Sequence, residues 1–89
     1  MSLIKIPKHR GESLFEDELK EIGKMSEISG DNIIFKNIKG VVEQNGEHFL
    51  NIEDFDDEKY DVDKTIVCVT PKTHNDITYL SVHLHLKEK

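Results

Sequence analysis

The stretch GVVEQNGEHFLNI, residues 40–52, decides the fold that the sequence predicts. An Asn-Gly pair stands between two runs of β-forming apolar residues, and a type I′ hairpin turn favours it because both central residues need a positive φ. The turn fixes a register in which Val42 pairs with Phe49 and Val41 with Leu50. Each face of the hairpin then carries apolar side chains, so both faces need a cover.

Upstream of the hairpin, Gly40 lies inside a long run of strand-forming residues, 33–44. A glycine within a strand commonly marks a bulge or a tight bend. A strand bent at this point would curl the sheet towards a small, partly open barrel.

The segment SLFEDELKEIGKMSEISG, residues 13–30, predicts an amphipathic helix that starts at Leu14. Charged residues fall on one side of that helix and apolar residues on the other. Gly30 supplies the left-handed position that helix ends favour. The apolar side comprises Leu14, Phe15, Leu19, Ile22, Met25 and Ile28.

Two further strands follow, one in residues 65–70 that ends before Pro71 and a last one in residues 77–86. The predicted fold class is therefore α+β, in a single domain of residues 1–89. One N-terminal amphipathic helix packs on a strongly bent, four- to five-stranded antiparallel sheet.

Charge and composition narrow the classes of function. There are 12 Lys and Arg residues against 18 Asp and Glu residues, a formal net charge of -6, which repels phosphate backbones and favours a basic partner. The hydrophobic content of 36%, with no Trp, argues against a deep cavity for a large cofactor, and none is expected. The N-terminal apolar residues are too few for a signal peptide or a membrane span. We therefore expect a cytoplasmic protein without membrane contact.

Cys68 is the single cysteine, in the apolar run TIVCVT. One cysteine cannot form a disulfide framework within a chain. Its strand context predicts a small, inert, buried hydrophobe rather than a reactive thiol.

Residues 53–63, the acidic segment, have the most unusual composition in the chain. A calcium loop of the EF-hand type is not indicated, because the glycine at its sharp turn is absent. The segment could instead dock on a basic partner, with aromatic rings as apolar anchors between carboxylates. The predicted partner-binding residues are Glu53, Asp54, Phe55, Asp56, Asp57, Tyr60, Asp61 and Asp63.

His83 and His85 lie two apart in the last strand, so they share the face opposite to that of Leu84. Their spacing allows both to reach one metal ion, but a catalytic zinc normally has three protein ligands. The third would have to come from another histidine (His9, His48 or His74) or from a carboxylate. A pH-sensitive interface and an ordinary polar strand face are the alternatives.

Three hypotheses of function follow. The preferred one is a small acidic protein-interaction module, resembling a regulator or inhibitor, that docks on a basic partner through the acidic segment. The second is a nucleic-acid-binding small barrel, with Phe35 or Tyr79 as stacking platforms and with a basic set comprising Lys5, Lys8, Arg10, Lys36 and Lys39. The third is a metal-dependent enzyme that uses His83 and His85.

The hairpin also predicts self-association. A single helix cannot cover both apolar faces, so an unclosed sheet would expose one of them. We expect a homodimer that uses the face of Val42 and Phe49, or an edge strand.

Overall fold

The computed structural model describes the backbone of residues 2–8 and 12–89 and the side chains of residues 2–8 and 16–89. These ranges contain one helix and seven strands: β1 Ser2–Lys5, α1 Glu12–Gly23, β2 Ile28–Ser29, β3 Ile34–Phe35, β4 Ile38–Gln44, β5 Glu47–Ile52, β6 Ile66–His74 and β7 Ile77–His85. The sheets have the orders β1-β5-β4 and β3-β2-β7-β6. All pairings are antiparallel apart from that of β2 with β7, which is parallel. The predicted α+β class is confirmed.

In the described part of the chain the strands do not close into a barrel. A three-stranded and a four-stranded sheet stay separate and share one core. Ile4 and Leu50 of the first sheet and Val67 and Leu84 of the second are at most 1% exposed. The predicted single bent sheet is therefore wrong. The two sheets pack their apolar faces against each other, so each sheet covers the other and a core forms without closure into a barrel.

Helix α1 is not N-terminal and ends earlier than predicted. Strand β1 precedes it, it ends at Gly23, and Ile28 lies in β2 instead of on the helix. The amides of Lys24 and Met25 each donate to a carbonyl three residues back, at 3.1 Å, which tightens the last turn. Glycine is a poor helix former, so a stop at Gly23 is physically reasonable. The role of Gly30 as a helix end is thereby ruled out.

The apolar side of α1 faces the protein, as the pattern predicts. The helix packs against β4 and β7, with Ile22 buried, Leu19 partly buried and Lys20 exposed. Leu14 and Phe15, also assigned to this side, have side chains outside the described residues. No helix within the described ranges is long and apolar enough to cross a membrane.

The hairpin of β4 and β5 has the predicted register. Val42 pairs with Phe49 and Val41 with Leu50. Asn45 and Gly46 have φ values of 53° and 79°, as a type I′ turn requires. The pairing shifts register between Ile38 and Gly40, and Gly40 has a φ of 109°, which confirms the predicted bulge.

A second hairpin, formed by β6 and β7, was only half predicted. Strand β6 does not end before Pro71 but continues to His74, with Pro71 opposite Leu80. Asn75 and Asp76 make the turn with φ values of 50° and 63°. A proline is tolerated here because β6 is the last strand of its sheet, where only one side needs hydrogen bonds.

Leu84 and Ile77 lie on opposite faces of β7, so one strand provides a stability experiment and its control. Leu84 is fully buried, whereas Ile77 is 68% exposed. We expect Leu84→Ala to lower the free energy of unfolding by about 2–5 kcal/mol, because it leaves a cavity in the core. We expect Ile77→Ala to lower it by less than about 1 kcal/mol. Urea unfolding followed by circular dichroism measures both, and equal losses would contradict the assigned faces.

Candidate functional site on the outer face of the four-stranded sheet

The side-chain alternation of β7 separates a core face from an outer face. Val82 and Leu84 point into the core, and the intervening residues point outward. The register with β6 extends this outer face across two long strands. From β6 it carries Ile66, Cys68, Thr70, Lys72 and His74, and from β7 Ile77, Tyr79, Ser81, His83 and His85.

Large apolar side chains are exposed on this outer face. Ile77 is 68% exposed, Ile66 56% and Tyr79 48%. Ile34, 56% exposed, joins them because it pairs with Ser29, which itself pairs with His83. Ile66 and Ile34 lie towards the His85 end of the face, and Ile77 and Tyr79 lie towards its other end.

The outer face also holds Cys68, which was predicted to lie in the core. It is half-buried and stands directly opposite His83, whereas its neighbour Val67 occupies the core position. The alternation of the strand explains the error, since an apolar run alone does not say which of its members point inward. The prediction of a buried cysteine is therefore wrong.

Asp31, from the turn between β2 and β3, converges with the two histidines on this face. Its Oδ1 lies 3.0 Å from Nε2 of His83 and 3.6 Å from Nδ1 of His85. The two imidazole rings are 4.9 Å apart, edge to face. We call these three residues the Asp31 cluster. Among the described residues, these three side chains lie close enough together to share one metal ion.

Neighbouring groups hold the Asp31 cluster in position. The backbone amide of Leu86 donates to the second carboxylate oxygen of Asp31, Oδ2, at 2.9 Å. The Oγ atom of Ser29 lies 3.2 Å from Nδ1 of His83, the ring nitrogen that faces away from Asp31. These contacts leave Oδ1 of Asp31 and Nε2 of His83 facing each other.

Gly30 positions Asp31 through close packing. A Cβ atom at Gly30 would lie 3.0 Å from the Phe35 ring and 3.3 Å from the Leu86 side chain. Both distances are shorter than comfortable van der Waals contact. The backbone before Asp31 can therefore press against the core only because this residue has no side chain.

Of the other histidines considered as a third ligand, neither described one reaches the cluster. His48 lies in the first hairpin, 3.7 Å from the carboxylate of Glu43. His74 lies at the far end of β6, opposite Ile77. His9 is outside the described residues. Asp31 is therefore the carboxylate that could serve as the third ligand.

The predicted docking residues of the acidic segment divide into two groups. Phe55 and Tyr60 are buried, with the Phe55 ring stacked 5.7 Å from that of Phe35, so these two rings are not available as surface anchors. The carboxylates are exposed or half-buried. Partner binding by those carboxylates remains a prediction.

Several of these carboxylates have local structural roles. Asp54 accepts the amide of Lys36, and Oδ1 of Asp56 accepts the amides of Glu58 and Lys59. The contacts of Asp56 are typical of an Asx turn, in which a short acidic side chain replaces a backbone partner, whereas Asp54 links the segment to a residue 18 positions earlier. The high density of Asp in this segment is thus partly explained by its turns.

The residues proposed for nucleic-acid binding differ in exposure and in their contacts. Phe35 is 1% exposed and cannot stack on a base. Two of the lysines lie in ion pairs, Lys5 with Glu47 at 3.3 Å and Lys39 with Glu53 at 3.7 Å. Arg10 is outside the described residues. Tyr79, the other proposed stacking platform, is 48% exposed, and nucleic-acid binding remains a prediction.

Comparisons with protein-family models, with curated proteins and with solved structures found no match for this chain. The residues of the outer face therefore carry the functional argument by themselves.

The contacts of Asp31 predict a pH dependence of stability. The hydrogen bond from Leu86, and next that of His83, lower the pKa of this carboxyl from its ordinary value. A lowered folded-state pKa adds stability above the unfolded pKa of about 3.9, and this stability is lost as the pH falls through the folded value.

We therefore expect Asp31→Asn to be less stable than wild type at pH 7, with the gap narrowing below about pH 4. Urea unfolding at a series of pH values measures the gap. Asp57→Asn removes one charge from the exposed acidic segment and controls for the change in net charge. A gap that is unchanged at low pH would contradict the assigned role of the carboxylate.

Proposed function

We propose that this protein is a small interaction domain, of the regulator or inhibitor kind, that binds a basic protein partner. Its docking surface is the outer face of the four-stranded sheet, and the acidic segment forms one border. The observation that carries the proposal is the exposure of Ile34, Ile66, Ile77 and Tyr79 on that one face.

The composition of the outer face supports a protein partner. Its centre, around Thr70 and Ser81, is uncharged. The strands β6 and β7 contain one lysine, Lys72. Interface centres are depleted of charge, and binding energy concentrates in a few apolar and aromatic side chains. Tyr79 and Ile77 are suited to that role because they are exposed and are held on a regular strand.

The acidic segment lies beside one end of this face. Tyr60 forms a β-bridge with Glu88, and the amide of Asp61 donates to the carbonyl of Lys87 at 2.8 Å. These contacts tie the segment to the residues that follow β7, near the end that carries Ile66. A face with an uncharged centre, exposed apolar side chains and an acidic border suits a basic partner, and the net charge of -6 would speed its approach.

The proposal includes a cytoplasmic location. The single cysteine is unpaired and partly accessible, which suits a reducing compartment. We also propose that two copies of the chain associate through the outer face when no partner is bound. The face of Val42 and Phe49 is less suited to this because both side chains are already half-buried.

Capture from the native host, with paired variants, tests the docking surface. Ile77→Ser with Tyr79→Ser alters the face, and Asp57→Asn with Glu58→Gln alters the border. We expect the face variant to lose at least about tenfold in affinity for the captured protein, since hot-spot side chains contribute 2 kcal/mol or more. We expect the border variant mainly to slow association and weaken its salt dependence.

The matched control is Glu21→Gln with Glu27→Gln, which removes the same charge from exposed positions in α1 and in the turn after it. The control should bind its partner as wild type does. A protein captured equally by wild type and by the face variant would refute the proposed surface.

Sedimentation over a hundredfold concentration range tests self-association. We expect wild type to shift from monomer to dimer, and the face variant to stay monomeric because the exposed apolar area is reduced. A single-chain species at every wild-type concentration would contradict dimerisation. A dimer that survives in the face variant but is lost in Phe49→Asp would place the interface on the first hairpin instead.

A further inference from the structure

We propose that the Asp31 cluster binds one divalent transition-metal ion of the Zn²⁺ class. Two imidazole nitrogens and one carboxylate oxygen are a common ligand set for zinc, and all three ligand atoms lie within 4.8 Å of one another. This site is separate from the acidic segment and does not depend on the interaction function proposed above.

The distances suit a small ion with little rearrangement. Ligands at about 2.0–2.1 Å from a tetrahedral zinc are about 3.3–3.4 Å from each other. Oδ1 of Asp31 lies 3.0 Å from Nε2 of His83 and 3.6 Å from Nδ1 of His85, on either side of that value. Small rotations of the side chains would therefore bring both pairs to ligand spacing.

The surrounding contacts select the ligand atoms. Oδ2 of Asp31 already accepts the amide of Leu86, so Oδ1 is the oxygen presented to both histidines. Nδ1 of His83 lies against Ser29, so Nε2 is the nitrogen presented to the carboxylate. Partners of this kind orient metal ligands in known sites, where they fix the ring position and the tautomer.

A carboxylate oxygen and an imidazole nitrogen at 3.0 Å need either a hydrogen atom on the nitrogen or a cation between them. Both atoms carry lone pairs, so either a proton or a cation must lie on the line that joins them. A divalent ion can replace that proton and draw in His85 as well. The proton of a neutral imidazole would then lie on Nδ1, beside Oγ of Ser29, when Nε2 binds the metal.

Ligand type and exposure define the class of ion. Imidazole suits zinc, cobalt, nickel and copper, whereas calcium and magnesium prefer oxygen ligands alone. The side chains of Asp31, His83 and His85 are 40%, 36% and 58% exposed. An ion held by three such ligands would keep a position open to water or to a ligand from a partner.

Apolar neighbours flank this location. Ile66 stands opposite His85, and Ile34 lies across Ser29 from His83. The Asp31 cluster therefore lies on the sheet surface between two exposed apolar side chains.

Titration of the untagged chain with Zn²⁺ after chelator treatment tests the proposal, because a polyhistidine tag would bind the same ion. Isothermal calorimetry should give one ion per chain. His85→Ala and Asp31→Asn should each weaken binding by at least about a hundredfold, since even outer-shell substitutions cost 10–100-fold. Circular dichroism of each variant verifies that the chain is folded.

His74→Ala is the matched control, because it removes another exposed histidine of the outer face, at the far end of β6. It should bind Zn²⁺ with the affinity of wild type. Cobalt gives a second readout, in which visible absorption bands of tetrahedral Co²⁺ should appear with wild type and be absent with His85→Ala.

Several results would overturn the site. They are no saturable binding by wild type below millimolar Zn²⁺, an unchanged affinity in folded His85→Ala, or an equal loss in His74→Ala. In any of these cases the Asp31 cluster would be a hydrogen-bonded link between the β2–β3 turn and β7 and no more.

Discussion

The register between β6 and β7 is the constraint on which most of this structure depends. Because the pairs are fixed from Ile66 with His85 to His74 with Ile77, Val67 and Val69 of β6 lie on the same side as Leu80, Val82 and Leu84 of β7, facing the core. A slip of β7 by one residue would move Val82 and Leu84 into water and bury the histidines. The core and the outer face are therefore two results of the same pairing.

Local chemistry made part of the fold predictable. The Asn-Gly turn and its register were correct because the turn needs positive φ values that few residues adopt. The end of the helix was predicted wrongly, because Met25 and Ile28 continue the spacing of a helical face although Ile28 belongs to a strand. The helical period and the strand period can both account for the same few apolar residues, and only tertiary packing decides between a helix and a strand. The extent of β6 was also missed, because a proline is compatible with a strand that has a free edge.

The candidate site was predictable only within a single strand. His83 and His85 share a face by the two-residue period alone, and the structure confirms this. Asp31 is 52 residues from His83 in sequence, and it arrives there through the pairing of Ser29 with His83 and the close packing of Gly30. No short motif carries such information. The aromatic rings of the acidic segment were misassigned for a related reason, since composition does not show that Phe55 and Tyr60 turn inward.

Pro71 has a consequence for how this protein behaves at high concentration. Strand β6 ends its sheet, and the free edge of a strand is a template on which other chains can add as further strands and grow into aggregates. Proline has no amide hydrogen to offer such a strand, and Lys72 next to it adds a charge that is costly to repeat along a fibril. The longest uninterrupted run of β6 is thereby cut to the five residues from Ile66 to Thr70. Pro71, which made the full extent of β6 hard to predict, therefore also limits the ability of this strand to polymerise.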